Sequence, residues 1–279
     1  MTLHPGQIVI LREPHPAGEA KPILFTGAMV RAILAGQKTQ TRRVVKPTLA
    51  LSFDEPRGPG DVAAGYPMVA DRRGDFHKAV DLCPHGQPGD LLWVKEGHTD
   101  VHPLAVQCGR YNQPGRAGIP GPPPVNYRTI YRADGEPLQA WQRSDRQHPY
   151  YTLEGPADDL AAKYPSIHST FDRIDGKGVY WENARYMPKS VCRIFLRVLG
   201  VRVQRVQEIS EENAKAEGVD GSGPTGSIPA KLAMGRCRYD FATLWDSIYA
   251  KRGYGWDVNP WVWAVTFERA EKPEGWPHA

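Results

Sequence analysis

Apolar and polar positions alternate with two different periods along this chain, and the switches between them mark its elements. From Ala28 to Ala35, Met29, Val30, Ile33 and Leu34 recur at helical spacing, and Gly36 suits the left-handed position that closes a helix. Leu91-Leu92-Trp93-Val94, introduced by Pro88-Gly89-Asp90, reads as a short strand. From Val191 to Val206, Cys192, Ile194, Leu196 and Val198 alternate with Arg193, Phe195 and Arg197. That predicts a long strand, which Gly200 can bend or bulge. Ser210 is placed to cap a short helix running through Glu217 and stopped by Gly218. Phe241, Leu244, Trp245 and Ile248 form a further amphipathic helix. Trp261, Trp263, Val265 and Phe267 share one face of a closing strand that starts after Asn259-Pro260.

Residues 48–89 and 97–185 show neither period and are rich in Pro, Gly, Asp and Arg. The run Gly118-Ile119-Pro120-Gly121-Pro122-Pro123-Pro124 cannot be regular structure, because proline lacks the amide donor and fixes its own backbone. Long insertions on a smaller core are expected. Short strands interleaved with two or three helices predict an α+β class rather than a doubly wound sheet.

Composition narrows this picture only a little. A chain of 279 residues, 41% hydrophobic and 24% charged, can bury a real core in one elaborated domain or two small ones. A net charge of +4 tolerates a phosphate-bearing partner without requiring one. No run of about eighteen apolar residues occurs, so no membrane span is expected. The stretch Met1 to Gly18 lacks the apolar middle of a secretory signal, and cytoplasm is the expected location. Cys83, Cys108, Cys192 and Cys237 are scattered, with no C-x-x-C pair, and the nine histidines form no metal-binding spacing. Reduced cysteines, no metal and no organic cofactor are expected. Asp158-Asp159 reads as a surface turn or helix start rather than a catalytic pair.

The most informative stretch is Ile33-Leu34-Ala35-Gly36-Gln37-Lys38-Thr39-Gln40-Thr41-Arg42-Arg43. Just past the helix stop, an amine and a hydroxyl stand three residues apart. A lysine that has lost its proton can serve as base for a hydroxyl nucleophile, as in serine–lysine catalytic pairs. The alternative is a solvated polar turn. Residues three apart in a regular strand point to opposite faces, so Lys38 and Thr41 converge only if the chain bends after Gly36.

Helix-Gly36-x-Lys38-x-x-Thr41-x-Arg43 resembles the signature of ASCH domains, which have a PUA-like β-barrel. Within them it looks most like the small bacterial N(4)-acetylcytidine amidohydrolases. Pro88-Gly89-Asp90-Leu91-Leu92-Trp93-Val94, Ile209 to Glu217 and Trp263-Ala264-Val265-Thr266-Phe267 are similar to further blocks of the same family. Met187-Pro188 and Asn259-Pro260-Trp261-Val262-Trp263 resemble larger ASCH-type proteins of phages and prophages. The resemblance implies one PUA-like domain over 1–279, with core at about 21–47, 86–97 and 188–270 and insertions at about 48–85 and 98–187.

It also implies an amidohydrolase that removes the acyl group from N(4)-acylated cytidine. Thr41 would be the nucleophile, Lys38 its base and Glu217 the assisting acid/base. Arg42 or Arg43 would hold the base oxygen or the developing oxyanion. Trp93, Lys95 and Glu96, where the small enzyme's strand is plainer, are candidates for a cleft wall. The partner expected is a small nucleoside, with RNA also possible. The rival readings are a non-catalytic RNA-binding module of the PUA-like type, and a phage accessory protein with a vestigial triad.

Overall fold

The computed structural model describes residues 20–45, 68–70, 76–101, 128–137, 139–143, 151–152, 171–223 and 235–277. Cys108, the Pro-Gly run at 118–124 and Asp158-Asp159 lie outside them. In chain order the elements are β1 (Lys21–Leu24), α1 (Gly27–Leu34), β2 (Gln40–Val44), β3 (Met68–Ala70) and β4 (Phe76–Lys78). Next come β5 (Leu91–Lys95), β6 (His98–Val101), β7 (Arg128–Tyr131), β8 (Gln139–Arg143), β9 (Tyr151–Thr152) and β10 (Phe171–Asp175). The chain closes with β11 (Phe195–Arg205), α2 (Glu211–Ala216), α3 (Arg236–Tyr249) and β12 (Trp261–Ala270). The class is mixed α and β, with few helices.

Two compact units divide the chain. The first comprises Met1–Ile23, Met29–Val94 and Cys192–Pro277; the second comprises Leu24–Ala28, Lys95–Val191 and His278–Ala279. The first is built on a five-stranded sheet of order β1-β5-β11-β12-β2. Its centre is the long antiparallel pair β11 and β12, in register from Phe195↔Ala270 to Arg205↔Trp261. The register shifts between Val198 and Gly200, where the sequence predicts a bulge.

α3 covers one face of this sheet. Phe241, Trp245 and Tyr249, at helical spacing, are buried with Val206 and Ile209 of the segment after β11 and with Val262 of β12. Gly235, at the N-cap of α3, offers no side chain. The Glu211 carboxylate substitutes, accepting from Cys237 N at 2.8 Å and Arg238 N at 3.1 Å. Elsewhere in the unit, Trp276 meets Phe195 edge-on at 4.9 Å and Trp93 at 6.0 Å between ring centroids.

The resemblance to ASCH domains implies a small barrel. The strands instead form an open order with β1 and β2 at its two edges, and no closed barrel is found among the described residues. Only the five-stranded sheet and its helices correspond to the expected core.

The second unit corrects the expectation of an irregular insertion over 98–187. It carries a sheet of its own, of order β10-β8-β9-β6-β7. β10 and β8 run antiparallel from Phe171↔Arg143 to Asp175↔Gln139, and β6 pairs with β7 from His98↔Tyr131 to Val101↔Arg128. Val101 and Val179 form a small buried cluster with Ile130, Ile174 and Trp181 against it. Sequences such as Gln139-Ala140-Trp141-Gln142-Arg143 have too few apolar positions to show a period of two. Their ladder depends on partners distant in the chain, which propensity does not report.

Candidate functional site

Lys38 is positioned by the way α1 ends. Gly36 adopts φ 73°, and the amides of Gln37 and Lys38 both donate to Ala32 O, at 2.9 and 3.0 Å. The chain then becomes extended and is tied on two sides at residue 39. Thr39 N donates to Ala216 O at 2.8 Å, while Thr39 O accepts from Phe267 N at 2.8 Å. Lys38 itself pairs with Glu217 as an isolated antiparallel bridge.

Glu217 caps the C-terminus of α2, whose start is fixed by Ser210 accepting from Asn213 N at 3.2 Å. Gly218 follows at φ 91°. A Cβ there would lie 2.9 Å from Ala32 Cβ and 3.1 Å from Lys38 Cβ, so glycine is needed both for the turn and for the close approach.

The result is a buried charged cluster. Lys38 Nζ donates to Glu217 Oε2 at 2.8 Å and to Glu217 O at 2.7 Å, joining residues 179 apart in sequence. Arg42 Nη1 donates to Glu217 Oε1 at 2.9 Å. Side-chain exposure is 0% for Lys38 and Arg42 and 4% for Glu217. The Phe241 ring lies 5.8 Å from the Arg42 guanidinium carbon. Gln40 extends the cluster by donating to Asn213 Oδ1 at 2.9 Å. Burial pushes the Lys38 amine below its ordinary pKa; Glu217 opposes this, and the Arg43 and Arg42 charges push it further down. One carboxylate thus serves two cations, each on its own oxygen.

Each expected site residue can now be placed. Lys38 and Glu217 meet. Thr41 is buried, paired across the ladder with Val265. In β2, Gln40 and Arg42 turn towards α2, as their bonds to Asn213 and Glu217 require. The period of two therefore puts Thr41 on the opposite face. No hydrogen bond among the described residues joins its hydroxyl to Lys38 or Glu217. Arg43, opposite Trp263, shares the Thr41 face.

Trp93, expected in a cleft wall, is 4% exposed and packs in the core against Trp276. Its place on β5 opposite Phe195 turns the ring inward. Lys95 and Glu96 belong to the second unit. Lys95 Nζ donates to Arg185 O, and Glu96, 1% exposed, has its amide 3.2 Å from Met187 Sδ.

The sequence reading missed Gln40, Asn213 and Arg202. Arg202 stands opposite Ala264 on β11, and Ala264 stands opposite Arg42 on β2. The alternation of Arg202 with Val201 and Val203 was the available signal, and an arginine in a strand ordinarily means a solvated face.

Among the described residues no group of His, Cys, Asp and Glu is arranged to hold a metal, and no helix is long and apolar enough to cross a membrane. Cys83, Cys192 and Cys237 are buried thiols. The chain matches no protein-family model, no curated protein and no solved structure.

Proposed function

We propose that this chain is an amidohydrolase of the ASCH type, with a PUA-like core, that removes the acyl group from N(4)-acylated cytidine. The observation that carries this reading is the buried Lys38–Glu217 pair, which unites two of the three residues the sequence resemblance names. A lysine whose amine is pushed down by burial gives up its proton more readily than a solvated one and can act as a base.

In the proposed reaction, Thr41 Oγ1 attacks the amide carbonyl carbon while Lys38 Nζ takes the hydroxyl proton. The tetrahedral intermediate collapses, the C–N bond breaks, and Lys38 returns the proton to the departing cytosine nitrogen. That nitrogen leaves readily because its lone pair delocalises into the ring. Water, deprotonated by Lys38, then attacks the acyl-threonine ester and releases the carboxylate and the free hydroxyl.

Arg42 has a distinct duty in this scheme. It holds Glu217 through Oε1, so the carboxylate stays in place while Lys38 exchanges its proton or turns from Oε2 towards substrate. Because Thr41 lies on the other face of β2, that turn is a requirement of the mechanism. β2 is an edge strand, which leaves no further strand of the sheet beside it.

The test is release of acid from N(4)-acetylcytidine, followed by the change in base absorbance. Thr41→Val keeps the packing and removes the hydroxyl, and it should lower kcat by about 10²–10⁴-fold. Unchanged turnover in Thr41→Val would remove Thr41 as nucleophile; no turnover by the natural chain on any acylated cytidine would remove the activity.

A further inference from the structure

On one face of the first unit's sheet, Arg42, Ala264 and Arg202 form a row across β2, β12 and β11. Residues directly opposite in a ladder point to the same side, so the two arginines flank a methyl group. The next row on that face is Gln40, Thr266 and Gly200, and a Cβ added at Gly200 would find no atom within 4 Å. The two arginines therefore flank Ala264, with the open space at Gly200 in the next row.

The donors left over have a specific geometry. Arg42, 3% exposed, spends Nη1 on Glu217, while its buried Nε and Nη2 have no partner. Those two nitrogens share one edge of the guanidinium, which presents parallel N–H groups and is the edge that grips an oxyanion with two bonds. Phe241 lies over the face of the same group, with its ring centroid 5.8 Å from the guanidinium carbon. Arg202 Nη2 is likewise buried without a partner. The two cations are close enough that the Arg42 charge, after burial, disfavours the charged form of Arg202.

Lys38 and Arg42 share one carboxylate, Glu217, and Arg202 adds a further positive charge near Arg42. Water could satisfy the N–H groups but would leave the positive charge. Three donors on two cations match a phosphate group, with its three oxygens and up to two negative charges, better than a carboxylate with two oxygens and one.

We propose that the Arg42–Ala264–Arg202 row is a phosphate-binding site, and that the acylated cytidine carries that phosphate and reaches Thr41, on the other face, around the edge strand β2. The site stands without the catalytic reading; only the identity of the substrate rests on it.

The experiment has two arms. In the first, the full chain is titrated calorimetrically with inorganic phosphate, acetate and chloride at equal ionic strength. One phosphate should bind per chain, at least tenfold tighter than acetate, and Arg202→Gln should weaken it tenfold or more. Absence of phosphate binding by the natural chain, equal binding of acetate, or undiminished binding by a folded Arg202→Gln variant would each overturn the site. In the second arm, N(4)-acetylcytidine 5′-monophosphate is compared with N(4)-acetylcytidine. The monophosphate should show a kcat/KM at least tenfold higher, expressed in KM, and Arg202→Gln should narrow that ratio. Equal kcat/KM values would overturn the substrate assignment. Phosphate binding with no turnover of either compound would retain the site and remove the catalytic reading instead.

Discussion

Two lysine–carboxylate pairs stand at opposite edges of the same sheet and obey different physics. At the β1 edge, Lys21 Nζ lies 2.9 Å from Asp90 Oδ2, with side-chain exposures of 45% and 17%. Beside β2, Lys38 Nζ lies 2.8 Å from Glu217 Oε2, with exposures of 0% and 4%. The distances are nearly equal. Water screens the first pair and competes for it, so it is worth about 0–1 kcal/mol, and Asp90 has a second partner in Gln87 N. The second pair has paid a large desolvation cost, offset by the bonds of Lys38 to Glu217 Oε2 and O and by Arg42 on the other carboxylate oxygen. A pair of that kind adds little net stability over an apolar replacement, yet burial lowers the pKa of its amine from that of a solvated lysine.

The largest expected effect breaks the comparison at its buried end. Glu217→Ala leaves Lys38 and Arg42 buried without their shared anion and should cost about 3–5 kcal/mol in denaturant unfolding, with loss of any hydrolysis. Gly218→Ala should come next, at about 1–3 kcal/mol. Its Cβ would press on Ala32 and Lys38, and φ 91° is strained for any L side chain. Lys38→Met, by contrast, removes a buried charge while Arg42 still pairs with Glu217. Its stability at pH 7 should stay within about 1–2 kcal/mol of the natural chain, although no amide is hydrolysed. Lys21→Ala should change stability by no more than about 1 kcal/mol, and less in high salt. An equal cost for Lys21→Ala and Glu217→Ala would void the contrast.

The pH dependence sharpens the same comparison. Burial lowers the folded-state pKa of Lys38. Well below that value both folded and unfolded chains hold the proton, and the folded chain bears the full cost of a buried ammonium. As pH rises from the lowered value towards the ordinary lysine value of about 10.4, the unfolded chain binds more proton, so stability rises. Lys38→Met should flatten that slope in unfolding curves, and Lys21→Ala should leave it in place. Hydrolysis should increase with pH over the lower part of the same window, as the free amine appears.

The elements of the first unit were largely legible in the order of residues. Gly36 and Gly218 ended the helices where expected, Ser210 capped α2, and the bulge fell at Gly200. Each of these is a local matter of backbone freedom or side-chain period. The strands of 98–175 were not legible, because β8 and β10 carry few apolar residues and pair with each other from separate stretches of the chain. Trp93 was misjudged for the same reason: both faces of β5 are buried, and the cover over Trp93 comes from Trp276, far along the chain.

At the site, the order of residues determined the types available: an amine and a hydroxyl three apart behind a helix stop, and a carboxylate at the end of a short capped helix. The tertiary structure alone decided that Glu217 reaches Lys38, that Arg42 shares it, that Thr41 turns to the other face, and that Arg202 lines up with Arg42 across Ala264. The physical reason is that helix ends and caps are set by neighbours within a turn or two. Charge pairing and desolvation are instead set by strand register between segments more than a hundred residues apart, and one step of register would exchange every partner.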